Sequence, residues 1–274
     1  MNFNINKMKE TGSHTLIAGN YNTERTSTSI AKQMINEILS KTKDNVIIID
    51  YFGEYSNVVN KNNGTEIKIT DNHISINPLE LLMLINKKDG NIFDAYCVLQ
   101  DFFIMLYINY YATDENKEDL IKISNAVYNI VCSKNPSLIN AIEKLQENGM
   151  NDLAGSIKKL MLNNILGEKT NFNGVESLDD LKSKCISLNL KNVPMYLQNI
   201  FVYYIYIYMY SNVLTGLKKT WLFVGDTNRR DVVGIYAKLW ARARCYNYSL
   251  VGITDSFAYL NRICMNTGSY INLK

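Results

Sequence analysis

The sequence predicts an α/β fold, a mostly parallel sheet with helices on its faces, interrupted once by an all-helical block. Three observations carry this. The apolar runs Val46-Ile-Ile-Ile-Asp50, Trp221-Leu-Phe-Val-Gly225 and Ser249-Leu-Val-Gly-Ile-Thr254 are of strand length and alternate with segments of helical period, as strands buried on both faces do. From about Ile92 to Leu166 the alternation stops and only helical periodicity remains. Near the start, the short strand Thr15 to Ala18 runs into Gly19, a polar loop and a helix, the outline of a phosphate-binding loop.

Taken in order, the first helix begins at about Arg25, with Ile30, Met34, Ile35 and Ile38 on its apolar face. The polar turn Lys41 to Asn45 leads into the Val46–Asp50 strand. Tyr51-Phe-Gly-Glu-Tyr-Ser56 then leaves its carboxyl end, the edge on which open α/β sheets place ligands. A short helix ends at Gly64, Glu66 to Thr70 alternates like a half-buried strand, and His73 to Ile76 reads as another. Four helices follow: about Ile92 to Tyr111; Thr113 to about Cys132, capped by Thr113; one after Asn135-Pro136-Ser137 that stops near Gly149; and about Asp152 to Leu166. The sheet resumes at Lys184 to Leu190, then a long aromatic helix from Pro194 to about Leu214, the Trp221 strand ending beside Asp226, a helix from about Arg230 to Cys245, the Ser249 strand, a helix around Phe257 to Ile263, and a last strand near Tyr270 to Leu273.

The loop has the frame of G-x-x-x-x-G-K-[ST] with altered chemistry. Gly19 takes the first glycine and Thr26 the hydroxyl position, but Glu24 stands where the second glycine belongs and Arg25 where the lysine belongs. Such a loop wraps backbone N–H groups around phosphate at the positive end of a helix. Asn20, Tyr21, Asn22 and Thr23 bring side chains instead of an inner glycine, and Ser27 follows Thr26. A Glu24 carboxylate about 4 Å from phosphate would be repelled by roughly 4 kcal/mol at an effective dielectric near 20. Arg25 keeps the charge, but a planar fork does not replace a compact ammonium. The expectation is weak or absent nucleotide affinity.

Composition narrows the function classes. With 274 residues and 47% hydrophobic content the chain can bury a large core, and its net charge of +3, spread along the sequence, does not support a nucleic-acid surface. Five cysteines without a C-x-x-C pair and only two histidines argue for reduced, mostly buried thiols and against a structural metal site. The N-terminus has no apolar run of the signal-peptide kind. The run Ile200 to Leu214, rich in tyrosine, falls short of the roughly 20 apolar residues of a span and reads as a buried helix. Its stripe from Tyr203 to Tyr210 reads as packing, and His14 and His73 as structural.

Several segments resemble one family. Val46-Ile-Ile-Ile-Asp-Tyr-Phe-Gly-Glu-Tyr-Ser, then Gly64-Thr-Glu-Ile-Lys-Ile-Thr and Ile76-Asn-Pro-Leu, are similar to the assembly ATPase of conjugative type IV secretion systems, the VirB-four family, with its strand ending in aspartate, its P-E-G-E-Y and its I-N-P-[LM]. Gly167-Glu-Lys-Thr-Asn171, Lys219-Thr-Trp-Leu-Phe-Val, and Trp240-Ala-Arg-Ala-Arg244 running into Gly252-Ile-Thr254 continue the likeness, in order, from about Leu16 to Leu273.

The resemblance implies a RecA-like P-loop NTPase sheet with a helical insertion, and an ATP·Mg²⁺ site whose residues follow by position. It assigns Gly19, Asn22, Thr23, Glu24, Arg25, Thr26 and Ser27 to nucleotide, Thr26 and Asp226 to Mg²⁺, and Glu54, Asp226 and Asp255 to catalytic places. Arg242 and Arg244 match a basic pair facing phosphate or a neighbouring subunit. The departures fall on this chemistry: Gly225 and Asp226 stand for the usual D-E pair, Asp255 for the glutamine after G-I-T, and Tyr51 and Phe52 for Pro-Glu, though Glu54 remains. The expected division is residues 1–91 and 168–274 as two parts of one RecA-like domain, shortened relative to the family, with residues 92–167 as the insertion. The expected function is a degenerate P-loop ATPase-like subunit of a conjugative DNA-transfer apparatus, structural or regulatory, with weak or no hydrolysis and so not an enzyme in practice. The alternative is an active but divergent ATP-hydrolysing motor. As partners the resemblance implies other type IV secretion proteins and further copies of the chain, and as location the cytoplasmic face of the inner membrane.

Overall fold

Strands β1 (His14–Ala18), β2 (Asn45–Asp50), β3 (Thr65–Lys68), β6 (Cys185–Asn189), β7 (Thr220–Val224), β8 (Tyr248–Thr254) and β9 (Thr267–Asn272) join in one sheet, ordered β3-β6-β2-β7-β8-β1-β9. Every pairing in it is parallel. The computed structural model describes residues 14–18, 26–69, 74–87, 91–111, 116–172, 183–215, 219–225, 241, 243, 247–254 and 267–272. The chain divides into two units, one of residues 1–70, 178–202 and 216–274, the other of residues 71–177 and 203–215.

The first unit holds the sheet. Parallel ladders need long crossovers, so neighbours in space are distant in sequence and each inner strand is covered on both faces, which is why its residues are apolar at consecutive positions. The residues of β2 from Val46 to Asp50, all of β7 and all of β8 are buried. On one face, Ile17, Val46, Ile48, Trp221, Phe223, Val251 and Ile253 form a core with Ile30, Met34, Ile35 and Ile38 of α1 (Ser27–Lys41) and Val58 and Val59 of α2 (Ser56–Lys61). The indole N–H of Trp221 donates to the buried carboxylate of Asp44 at 3.0 Å, so the largest core side chain leaves no polar atom unpaired. Gly64 follows Asn63, which turns the chain at φ +52°, and a Cβ on Gly64 would lie 2.7 Å from the Cys185 carbonyl. Burial pushes the Cys185 thiol up to about 12, so it packs as an apolar group, whereas Cys97 is half-buried and Cys132 exposed.

The second unit contains α3 (Glu80–Lys87), α4 (Ile92–Tyr111), α5 (Lys117–Val131), α6 (Leu138–Glu147) and α7 (Asn151–Leu162), consecutive ones packed as neighbours from α3 to α7, with the antiparallel pair β4 (Ile74–Ser75) and β5 (Asn171–Phe172). Helix α8 (Met195–Thr215) starts in the first unit and ends in the second. Tyr203, Tyr204, Tyr206 and Tyr208 are buried, Tyr203 tilted against Phe102 and Tyr204 edge-on to Phe172, both at 4.9 Å, in keeping with the packing role read from the sequence. His14 is buried and its Nδ1 accepts the Leu250 N–H at 3.2 Å, a structural part.

Several expected boundaries move. Helix α1 starts at Ser27 because Thr26 is its N-cap. Asn116 caps α5, accepting the Glu118 N–H. Helix α7 stops at Leu162, four residues short of Leu166, where Asn164 turns at φ +55°. Helix α3 and strand β5 were not foreseen. The helices expected near Arg230 to Cys245 and Phe257 to Ile263 lie largely outside the described residues, as does His73.

Candidate nucleotide site and the turn beside it

The register brings the strand ends together at the carboxyl edge of the sheet. Ala18 pairs with Thr254, Val224 with Gly252 and with Ile49, and Asp50 with Asn189. Gly19, Asn22, Thr23, Glu24, Arg25, Asp226, Arg242, Arg244 and Asp255 lie outside the described residues. Thr26, Ser27, Glu54 and Gly225 lie within them.

Thr26 has extended backbone, and its hydroxyl accepts the Ser29 N–H at 3.2 Å while its carbonyl accepts from Ile30. It satisfies one of the unpaired donors of the first turn, the ordinary work of an N-cap threonine. Ser27 is buried in the α1 core. The hydroxyl assigned to Mg²⁺ by position thus caps the start of the helix with one lone pair and keeps a second. No cluster of three or more His, Cys, Asp or Glu suited to a metal occurs among the described residues. At the end of β7, Gly225 donates its N–H toward the Ile49 carbonyl at 3.5 Å and has no side chain to offer.

The most organised feature of this edge is the turn after β2. The Asp50 carboxylate, buried, accepts four backbone N–H groups: Oδ1 from Phe52, Gly53 and Glu54 at 3.3, 2.8 and 3.0 Å, and Oδ2 from Tyr55 at 3.0 Å. A single side chain thus satisfies a whole turn of backbone. Gly53 makes the turn possible: it sits at φ +71°, and a Cβ would meet the Lys191 stem at 3.1 Å and the Asn189 amide at 3.2 Å. The Tyr55 ring is buried, with the Lys32 ammonium of α1 above it at 5.7 Å.

Held this way, Glu54 reaches the first turn of α1, where its Oε2 accepts the Thr28 hydroxyl proton at 3.2 Å. Of the residues given catalytic places, Glu54 is the one the described structure sets against the helix that follows the loop. Sequence reading placed Glu54 correctly at the sheet edge and left Asp50 as a strand-ending acid. Nothing in the sequence marked the fourfold role of Asp50, because its partners are backbone N–H groups.

No family model matches the chain, and no curated protein sequence does. Among solved structures, VirB4 of Thermoanaerobacter pseudethanolicus is similar at 17% identity with a TM-score of 0.61, over 93% of this chain and 73% of that one. The bacterial conjugative coupling protein TrwB, in an unbound form, is similar at 12% identity with a TM-score of 0.54, over 92% of this chain and 64% of that one. TrwB in complex with ADP and Mg²⁺ matches at 11% identity and a TM-score of 0.52, this chain spanning 66% of its length. At these identities the likeness shows the fold alone, a mostly parallel RecA-like α/β fold shared with VirB4 and TrwB. The similarity to VirB4 agrees with the resemblance read from the sequence. No helix of the described residues is long and apolar enough to cross a membrane.

Proposed function

We propose that this chain is a degenerate P-loop ATPase-like subunit of a conjugative type IV secretion apparatus, structural or regulatory, with weak or no ATP hydrolysis. The observation that carries the reading is a VirB4-type fold over 93% of the chain whose nucleotide-facing chemistry departs from a working site. Gly225 replaces an acid at the end of β7, and Glu24 and Arg25 stand in the loop for glycine and lysine. An intact scaffold with weakened phosphate and metal contacts fits a part kept for its shape. Under this reading Gly19, Asn22, Thr23, Glu24, Arg25, Thr26 and Ser27 form the remains of the loop, and Asp226 and Asp255 face it. Arg242 and Arg244 face phosphate or a neighbouring copy, and the chain works beside other secretion proteins at the cytoplasmic face of the inner membrane. A bound ATP·Mg²⁺ would supply the phosphoanhydride and its counter-charge. Of this chain's residues, Thr26 and Asp226 would hold the metal and Arg25 the phosphates.

Steady-state phosphate release tests it. The expected rate is that of a protein-free blank; release well above the blank, abolished by Thr26→Ala, overturns the reading.

One observation favours the active alternative. Glu54 is delivered by a rigid turn to the first turn of α1, where it would orient water. For that motor the double substitution Glu24→Gly with Arg25→Lys raises hydrolysis severalfold, and for the degenerate subunit it leaves the rate at the blank.

A further inference from the structure

The turn that carries Glu54 also forms one wall of a separate cleft, at the carboxyl ends of β3 and β6. The cleft has a volume of about 260 Å³ and is lined by Gly53, Ser56, Lys68, Ile69, Asn189, Lys191 and Asn192. All of these belong to the first unit.

Its floor is a fixed polar network drawn from three segments. Glu66 Oε1 accepts the Ser56 hydroxyl proton at 2.5 Å and the Asn189 amide N–H at 2.8 Å, and Asn189 Oδ1 accepts the Lys191 backbone N–H at 3.1 Å. The Glu66 side chain is 11% exposed, so this carboxylate is partly buried beneath its donors. Gly53 closes the wall, since its missing Cβ is what lets the Lys191 stem and the Asn189 amide pack against the turn.

The balance of groups indicates what the cleft takes. The acceptors are engaged: Asn189 Oδ1 by Lys191, Glu66 Oε1 by two donors, with Glu66 Oε2 facing the Lys68 ammonium only loosely, at 4.0 Å. The donors are in surplus. Lys191 forms no ion pair among the described residues, Lys68 is 69% exposed with one distant carboxylate, and the exposed Asn192 adds an amide. The charged side chains that line the cleft are the Lys68 and Lys191 ammoniums, and the carboxylates behind it, Glu66 and Asp50, are taken up by hydrogen-bond donors, a balance that attracts an oxyanion and rejects a cation. The volume lies below the roughly 300–1,000 Å³ of pockets that enclose a drug-sized ligand. It suits a phosphoryl group alone rather than a whole nucleotide.

We propose that this cleft is a phosphoryl-binding site, with Lys68 and Lys191 as its cationic ligands and the Ser56–Glu66–Asn189 network as the scaffold that holds it open. It is independent of the nucleotide reading, because none of its residues belongs to the loop after β1.

Calorimetric titration with inorganic phosphate tests the proposal, on the wild-type protein and on the double variant Lys68→Gln with Lys191→Gln. Both lysines are exposed residues, and glutamine keeps most of each stem, so the double variant keeps the wild-type melting temperature. The expected result is saturable millimolar binding that weakens with added salt and falls at least about tenfold in the double variant, as loss of charge-assisted hydrogen bonds requires. ADP in a second titration separates the sources of the phosphoryl group: an affinity no tighter than that of phosphate keeps the cleft a site for the phosphoryl group alone, while much tighter ADP binding that survives in the double variant places the binding elsewhere. Absence of saturable phosphate binding, or binding that the double variant retains in full, overturns the proposal.

Discussion

The two units solve the same problem, a chain that must return to itself across a long sequence interval, by different means. In the sheet unit, rows of apolar residues bring β2, β7, β8 and β1 together, and at the carboxyl edge Asp50 gathers four N–H groups. In the helical unit the return is made by a polar clasp. The Asn77 backbone N–H donates to Thr170 Oγ1 at 3.0 Å, its side-chain amide donates to the Glu168 carbonyl at 2.9 Å, and its Oδ1 accepts the Leu79 N–H at 2.9 Å. Thr170 in turn donates to the Glu80 carboxylate at 2.7 Å, and the Glu168 carboxylate accepts the Leu138 N–H at the start of α6. The segments by which the sequence resembles the secretion ATPases, Asp50 to Tyr55, Ile76 to Leu79 and Gly167 to Asn171, are therefore hydrogen-bonding solutions to folding. Their presence speaks for the scaffold and leaves open the chemistry, of whose assigned residues they contain Glu54 alone.

The comparison breaks most readily at Asp50. Asp50→Ala strips the acceptor from a turn of backbone N–H groups, of which the Tyr55 N–H is buried, and is expected to lower stability by about 3 kcal/mol in chemical denaturation followed by far-UV circular dichroism. Asp50→Asn, which keeps one acceptor oxygen, costs less. Asn77→Ala opens the clasp and is expected to cost about 2 kcal/mol in the same assay. A loss at Asn77 equal to or larger than that at Asp50 would reverse the ranking of the two regions. Thr26→Ala removes the α1 cap for about 1 kcal/mol, and Thr26→Ser restores most of it.

The smallest effect is one of pH, at the α4–α5 contact. The Tyr107 hydroxyl donates to Asp119 at 2.6 Å; this bond, helped by Lys122, lowers the carboxyl below its ordinary range, and the same bond, opposed by Lys122, raises the phenol above its own. The contribution of Asp119 is full above the ordinary carboxylate range and is lost as pH falls through the lowered value; that of Tyr107 is full below the ordinary phenol range and is lost as pH rises through the raised one. Tyr107→Phe is expected to flatten both limbs of the stability profile, with little change in the melting temperature near neutrality.

Much of the sheet was legible because burial on both faces writes itself as uninterrupted apolar runs, and β2, β7 and β8 fall within a residue or two of where those runs lie. The start of α6 after Asn135-Pro136-Ser137 and the end of α2 near Gly64 were legible for local reasons. Strand β5 was not, because two residues have no period and Asn171–Phe172 is a strand only through its pairing with Ile74–Ser75. Helix α5 was expected to be capped by Thr113, and the structure shows Asn116 as its cap, a residue the sequence reading passed over. At the site, the position of Glu54 was readable from the strand end. The fourfold acceptor role of Asp50 was not, since its partners are backbone groups that every sequence has. The cleft over Glu66 was equally silent, as Lys68 and Lys191 are far apart in the chain and meet only through the β3–β6 pairing.

The central claim, a P-loop fold with a weakened nucleotide site, is tested most directly by calorimetric titration with a slowly hydrolysed ATP analogue, with and without Mg²⁺. The account predicts no saturable binding below millimolar analogue and no gain on adding Mg²⁺. Micromolar, magnesium-dependent binding would contradict it and make Arg25, Thr26 and Asp226 working ligands of a divergent motor.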